Sequence, residues 1–189
     1  MSTVPVLLIT GPLGVGKTTI LDAVAERLRA ANIPFAAVDL DSLAWAYPPA
    51  PGDDPYRNGL MFQNLASVWR NFQAAGASRL VCAYVVESRD ELDRYRAAIP
   101  GAVITVARLR ASRGTAQRRL SRRVAQSDLI DRPVRSIERA RRERWAARSD
   151  ELAELMDRER LEDILVETDG RDADEIAADV LRLANWPGA

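Results

Sequence analysis

Residues 4–19 read VPVLLITGPLGVGKTT, and the fold turns on them. Val4–Thr10 is an almost unbroken apolar run with a proline near its start, the composition of a short strand buried on both faces. It runs straight into Gly11, Gly14 and Gly16. Behind them Ile20, Leu21, Val24, Leu28 and Ala31 recur at helical spacing and stop at Asn32, with Pro34 beyond, so a helix is expected over roughly Lys17–Ala31. Between strand and helix, Gly11–Thr18 (GPLGVGKT) satisfies G-x-x-x-x-G-K-[ST] at every fixed position, in the context that this pattern requires. Glycines there let backbone N–H groups fold around phosphate oxygens, and the helix start adds the positive end of its dipole; a lysine reaches the β/γ-phosphates and a threonine hydroxyl ligates Mg²⁺. Gly11, Gly14, Val15, Gly16, Lys17, Thr18 and Thr19 are therefore the expected nucleotide contacts, with Lys17 catalytic and Thr18 on the metal. A glycine turn without a ligand is the alternative.

Composition narrows the chemistry. The 189 residues hold 27 basic and 27 acidic side chains, no histidine, one cysteine and 47% hydrophobic residues, which suffices for one core of ordinary size and one domain over 1–189. Without histidine there is no Ser-His-Asp triad and no imidazole base. A lone Cys82 excludes disulfides and thiolate zinc sites, so any metal is hard and oxygen-bound. Lys17 is the only lysine in the chain; where arginine serves everywhere else, it marks a position that needs a compact ammonium and not a planar fork. Charge also segregates, with 14 arginines against 4 acids over Arg108–Arg148, then 13 acids against 3 arginines over Asp150–Asp179. The first apolar run is too short for a signal or a membrane span and no basic residue precedes it, so a cytoplasmic protein with no membrane partner is expected.

Outward from the loop, Phe35–Asp39 reads as a second strand, and PPAPGDDP (48–55) is too rich in turn residues for a long element. Leu60, Met61, Leu65, Val68, Trp69 and Phe72 mark a helix that stops at Gly76, with Trp69 and Phe72 as core. Arg79–Val86 is a third strand, Asp90–Ala98 a short helix, Ala102–Ala107 a fourth strand and Asp163–Val166 a fifth. Ile176, Val180 and Leu183 face inward on a last helix. The arginine-rich stretch holds helices too, one with Leu120 and Val124, another with Ile137, Trp145, Leu152 and Leu155. Strands alternating with helices imply a three-layer α/β fold around a parallel sheet.

Four further stretches carry a resemblance. Asp39-Leu40-Asp41 ends the second strand, and Val81-Cys82-Ala83 lies in the third with Arg89-Asp90 after it. Arg119-Leu120-Ser121-Arg122-Arg123 has the form R-L-x-x-R, and Gly170-Arg171 follows the last strand. In this order they resemble the small P-loop kinases of the nucleoside-monophosphate-kinase-like group, closest to the shikimate and gluconate kinase branch; chloramphenicol phosphotransferases share the general build. The resemblance implies a P-loop NTPase fold with a five-stranded parallel sheet in the order 2-3-1-4-5 and a helical, arginine-rich lid over about 108–148. It implies Asp39 as Mg²⁺ support, Asp41 at the acceptor, Arg119 and Arg123 at the polyphosphate, and Gly170 and Arg171 where the adenine ring rests. ATP and Mg²⁺ are the implied cofactors.

Phosphoryl transfer is positioning plus charge stabilisation, so it needs a cradle, a metal, cations and a group to receive the acceptor proton. Asp39 and Asp41 lie two apart at a strand's C-terminal edge, where open α/β sheets bind ligands. The first suits Mg²⁺ and the second a hydroxyl proton, unless the pair is a solvated loop or the start of a helix near Ser42. Arg119 and Arg123 are four apart and share one helical face, which serves a polyphosphate or an adenine ring; the other reading is a solvated basic helix facing the acidic segment, and it accounts for most of the arginines. Trp45, Tyr47, Arg57 and Tyr84 are the acceptor candidates, and their aromatics suggest a ring-bearing or partly apolar hydroxyl compound, a specialised metabolite or an antibiotic. The third strand ends Tyr84-Val85-Val86-Glu87 without a metal-supporting aspartate, so Glu87 is either a substitute or an acid at the next helix start. No Asn/Thr-Lys-x-Asp guanine signature is present. Two other functions remain open: a nucleotide-binding regulatory ATPase that docks a protein partner, and a polynucleotide 5′-end kinase. Overall neutrality and the presence of a single aromatic, Trp145, among the arginines argue against a nucleic-acid partner.

Overall fold

A computed structural model describes residues 3–48, 52, 54, 56–127 and 135–188, with side chains for all of these except 123–127 and 135–143. Among the described residues the strands are β1 (Val4–Thr10), β2 (Ala36–Asp39), β3 (Leu80–Ala83), β4 (Ala102–Arg110) and β5 (Ile164–Glu167). The helices are α1 (Lys17–Ala30), α2 (Asp41–Ala44), α3 (Asn58–Ala74), α4 (Arg89–Ala98), α5 (Arg113–Ser127), α6 (Arg135–Glu159) and α7 (Ala173–Leu183). The strands form one parallel sheet in the order β2-β3-β1-β4-β5, as expected.

Side chains alternate across this sheet into two cores. Val4, Val6 and Leu8 of β1 pack with Cys82, Val106, Met61, Leu65, Trp69 and Tyr95 on the side of α3 and α4. Leu7 and Ile9 pack with Val81, Leu109, Val24, Leu28, Ile176 and Val180 on the side of α1 and α7. A strand covered on both faces needs apolar residues at every position, which is why β1 shows no alternation. Ile9 is level with Ala83 on one side and Ala107 on the other, and Asp39 is level with Ala83. The strands therefore deliver Gly11, Leu40 and Tyr84 to the same edge.

Two strands differ in length from expectation. β3 stops at Ala83 and not at Val86, because its neighbour β2 has ended: Leu40 N–H donates to the Ala83 carbonyl as the last rung, and the chain turns into α2. β4 runs on to Arg110 because β5 pairs with it there. Arg108 is thus a buried strand residue. Its guanidinium donates to Asp157 at 2.6 Å and to the Ala153 carbonyl at 3.3 Å, and faces Glu162 at 3.5 Å, tying the end of α6 to the sheet.

Further along α6, Ser149 Oγ donates to the Leu13 carbonyl at 2.8 Å and Arg148 pairs with Glu87 at 2.6 Å. The stretch expected as a lid, 108–148, is held at both ends to the sheet and the glycine loop by buried or half-buried polar contacts. Its segment 128–134 lies outside the described residues. Among the described residues no helix is long and apolar enough to cross a membrane.

Removing the Arg108 guanidinium leaves Glu162, whose side chain is only 15% exposed, without its counter-charge. Arg108→Met is expected to cost about 2–3 kcal/mol. Asp157→Asn, at a side chain 59% exposed, is expected to cost under about 1 kcal/mol. Urea unfolding of the two variants checks the difference.

Candidate active site

The glycine loop is built from conformations that side chains disfavour. Gly14 has φ +78°, and a Cβ there would lie 2.6 Å from Leu120 Cγ and 2.8 Å from the Ala116 carbonyl of α5. Gly16, the N-cap of α1, has φ 107°, but a Cβ would meet nothing nearer than the Arg119 guanidinium at 3.9 Å. Gly14 thus admits α5 against the loop, whereas Gly16 serves the backbone turn alone. Gly11 opens the loop directly after β1, and Val15 is buried beneath it.

The start of α1 is prepared for an anion. No side chain caps it and its first turn holds no acid. Three other helices show the contrast. Asp54 accepts from Asn58 N–H and Gly59 N–H at the start of α3, Ser88 from Glu91 N–H at α4, and Asp172 from Glu175 N–H at α7. Open N–H groups and an unopposed dipole end attract phosphate. Lys17 lies over the same loop, its Nζ donating to the Gly11 and Pro12 carbonyls at 2.9 and 3.2 Å. Thr18 Oγ1 donates to Asp39 Oδ2 at 2.7 Å, and Asp39 Oδ1 accepts from Asp41 N–H at 3.2 Å. Thr19 is exposed on the first turn.

Hydroxyl and carboxylate side by side are the hard oxygen donors that Mg²⁺ prefers. It needs only one or two of them from protein when phosphates and water supply the rest. Among the described residues no group of three acids forms a cage. The donor set therefore fits a nucleotide-bound Mg²⁺ and not a free-standing metal centre.

Arg119 of α5 reaches the loop from the other side. Its Nη1 donates to the Val15 carbonyl at 2.8 Å and to Thr168 Oγ1 at 2.9 Å, and Nη2 donates to the Thr168 carbonyl at 3.0 Å. The Arg123 side chain lies outside the described residues. Gly170, with φ +68°, turns the chain after β5. The guanidinium of Arg171 pairs with Asp179 of α7 at 2.6 Å and donates to the Glu167 and Glu175 carbonyls. Arg171 thus ties the end of β5 to α7.

Across the crevice, Tyr84 follows β3, its N–H donating to the Ile9 carbonyl and its hydroxyl to Asn58 Oδ1 at 2.7 Å. Burial, and then the carboxylates of Asp41, Glu91, Glu87 and Asp54, push its phenol well above its ordinary range. Tyr84 is therefore a protonated hydrogen-bond donor at neutral pH, and Asp41 stands at the head of α2. Arg57 precedes α3 at φ 54°, and its buried Nη2 has no hydrogen-bond partner. Trp45 and Tyr47 are each 90% exposed and are not drawn into the crevice. Glu87 lies directly before Ser88, the N-cap of α4, as expected of an acid at that helix start; its carboxylate pairs with Arg148, and its N–H donates to the Glu91 carboxylate. Ser149, Asn58 and Thr168 have no sequence signal of their own, except that Thr168 follows a strand at the ligand-binding edge.

No protein-family model and no curated protein matches the chain. Solved structures do. A gluconokinase from Sinorhizobium meliloti superposes with a TM-score of 0.60 at 18% identity, over 98% of this chain and 94% of that one. The fold is that of the P-loop kinases. A tunicamycin resistance protein from Deinococcus radiodurans shares the P-loop kinase fold at a TM-score of 0.60 and 16% identity, over 97% and 96% of the two chains. So does a shikimate kinase from Acinetobacter baumannii, solved with shikimate, at 0.56 and 17% identity, over 96% and 93%. At these identities the likeness is one of fold, the five-stranded parallel sheet in the order β2-β3-β1-β4-β5 with helices on both sides.

The two glycines yield separable expectations. Gly14→Ala drives a methyl group into Leu120 and the α5 backbone and is expected to cost about 2–4 kcal/mol in urea unfolding, from overpacking together with left-handed strain. Gly16→Ala adds strain only, about 1–2 kcal/mol.

Proposed function

We propose that the protein is an ATP-dependent phosphotransferase that moves the γ-phosphoryl group of ATP·Mg²⁺ to a hydroxyl of a small acceptor. The observation that carries this reading is the uncapped start of α1 under Lys17, with the Thr18–Asp39 pair beside it and Asp41 and Tyr84 at the same sheet edge. The kinases among the structural relatives support it.

In this reading the N–H groups of the Gly11–Thr19 loop and the Lys17 ammonium hold the β- and γ-phosphates, while Thr18 and Asp39 hold the metal. Mg²⁺, when bound, neutralises charge on the phosphate oxygens. Asp41 takes the proton of the acceptor hydroxyl as its oxygen bonds to the γ-phosphorus and the β–γ bridge breaks to leave ADP. The arginines Arg119 and Arg123 stand on the lid side of the triphosphate, and Gly170 and Arg171 border the base. Trp45, Tyr47, Arg57 and Tyr84 are the acceptor-side candidates, Trp45 and Tyr47 from solvent-exposed positions. Aromatic side chains there suit a ring-bearing specialised metabolite or antibiotic, and the tunicamycin resistance relative supports that class. The protein works in the cytoplasm as one domain.

Lys17→Ala is expected to weaken ATP·Mg²⁺ binding by roughly tenfold to a hundredfold in calorimetric titration, the worth of a bond between charged groups. Asp41→Asn is expected to keep that binding and to lower acceptor-stimulated ADP release by roughly a hundredfold to ten-thousandfold. Full turnover by Asp41→Asn would remove the base assignment. ATP binding that no hydroxylated compound converts into faster ADP release would favour a regulatory ATPase.

A further inference from the structure

Arg119 uses its guanidinium inward. Nη1 bridges the Val15 carbonyl and Thr168 Oγ1, and Nη2 takes the Thr168 carbonyl. Thr168 is buried, and its own N–H donates to the Arg110 carbonyl at 2.8 Å, so it is fixed to the sheet. The fork is therefore held at one side by the sheet and grips the loop with the other.

We propose that Arg119 is a positioning residue: by holding the Val15 carbonyl it turns the Gly16 N–H into the phosphate cradle, and it acts on the nucleotide through that peptide without touching phosphate. The proposal rests on the reading of the loop as a nucleotide site. Its geometry follows from the peptide unit, which is planar and, between Val15 and Gly16, trans, so the N–H points opposite to the carbonyl. Pinning the oxygen against α5 aims the hydrogen toward the crevice. The need for a pin follows from the residue. Glycine has no Cβ to restrict its torsions, a Cβ at Gly16 would meet only Arg119 itself, and no side-chain cap holds this end of α1. A charged, forked donor is the strongest hydrogen-bonding side chain for such a hold. Thr168 extends the contact to the β5–α7 turn, so the cradle and the base side of the crevice share one brace.

The test compares wild type, Arg119→Met and the milder Thr168→Val, each first checked for folding by thermal unfolding. The readouts are calorimetric titration with Mg²⁺·tripolyphosphate, which has no base to recognise, and the Gly16 amide in ¹⁵N-resolved NMR spectra. Arg119→Met is expected to bind tripolyphosphate roughly tenfold more weakly, with Thr168→Val between it and wild type. The ligand-free Gly16 resonance, sharp in wild type, should broaden in Arg119→Met, and its downfield shift on saturation should shrink.

An affinity loss in which the saturated Gly16 amide shifts as in wild type would mean that Arg119 touches phosphate itself, and the proposal would fall. Unchanged affinity and an unchanged amide would overturn it as well. If Arg119→Met does not fold, the Thr168→Val readouts decide by the same criteria. Failure of wild type to bind tripolyphosphate or ADP would overturn the kinase reading instead, while the ligand-free Gly16 resonance would still decide for or against the brace.

Discussion

Parallel pairing of β1 with both β3 and β4 constrains everything at the C-terminal edge of the sheet. A central strand covered on both faces has no freedom to shift by one residue, because a slip would carry Leu7 and Ile9 into the core that now holds Val6 and Leu8. The fixed register sets where Thr10 ends and where Gly11 begins. It also sets the level at which β2 releases Asp39 and β3 releases Tyr84. Backbone hydrogen bonds between the strands thus set where the residues of the candidate site stand.

Among the described residues, some helix starts are closed by side chains and that of α1 is not. α3, α4 and α7 satisfy their first N–H groups with Asp54, Ser88 and Asp172. α1 leaves that edge to the glycine loop. Orphan N–H groups cost free energy unless water or a ligand takes them. The loop needs outside support to hold a shape that its own residues do not favour, and α5 and α6 provide it through Arg119, Leu120 and Ser149. Buried Arg108 anchors α6 at its other end.

Arginine use in the 108–148 stretch illustrates how one composition covers several roles. Arg108 is a strut, Arg148 neutralises Glu87 beside the Tyr56 ring, and Arg119 braces the loop. Sequence treats these as one basic block. Only their distance from the sheet separates them, and that distance depends on where β4 ends.

The sequence by itself determined the strand, loop and helix of residues 4–30, the alternation of strands and helices, and the glycine pattern of Gly11–Thr18. Each of these rests on local periodicity or on the spacing of glycines, and such signals survive without partners. The Thr18–Asp39 contact was legible as two residue types at a shared edge, although not as a hydrogen bond. Tertiary structure alone decided that β3 stops at Ala83, that Arg108 is buried, that Arg171 turns to Asp179, and that Glu87 serves Arg148. It also decided that Trp45 and Tyr47 stay in solvent while Asn58 and Thr168 enter the site. These outcomes join residues from 8 to 61 positions apart, as in Arg171–Asp179 and Glu87–Arg148, and a side chain's partner at such range is chosen by register and packing, which no local pattern encodes.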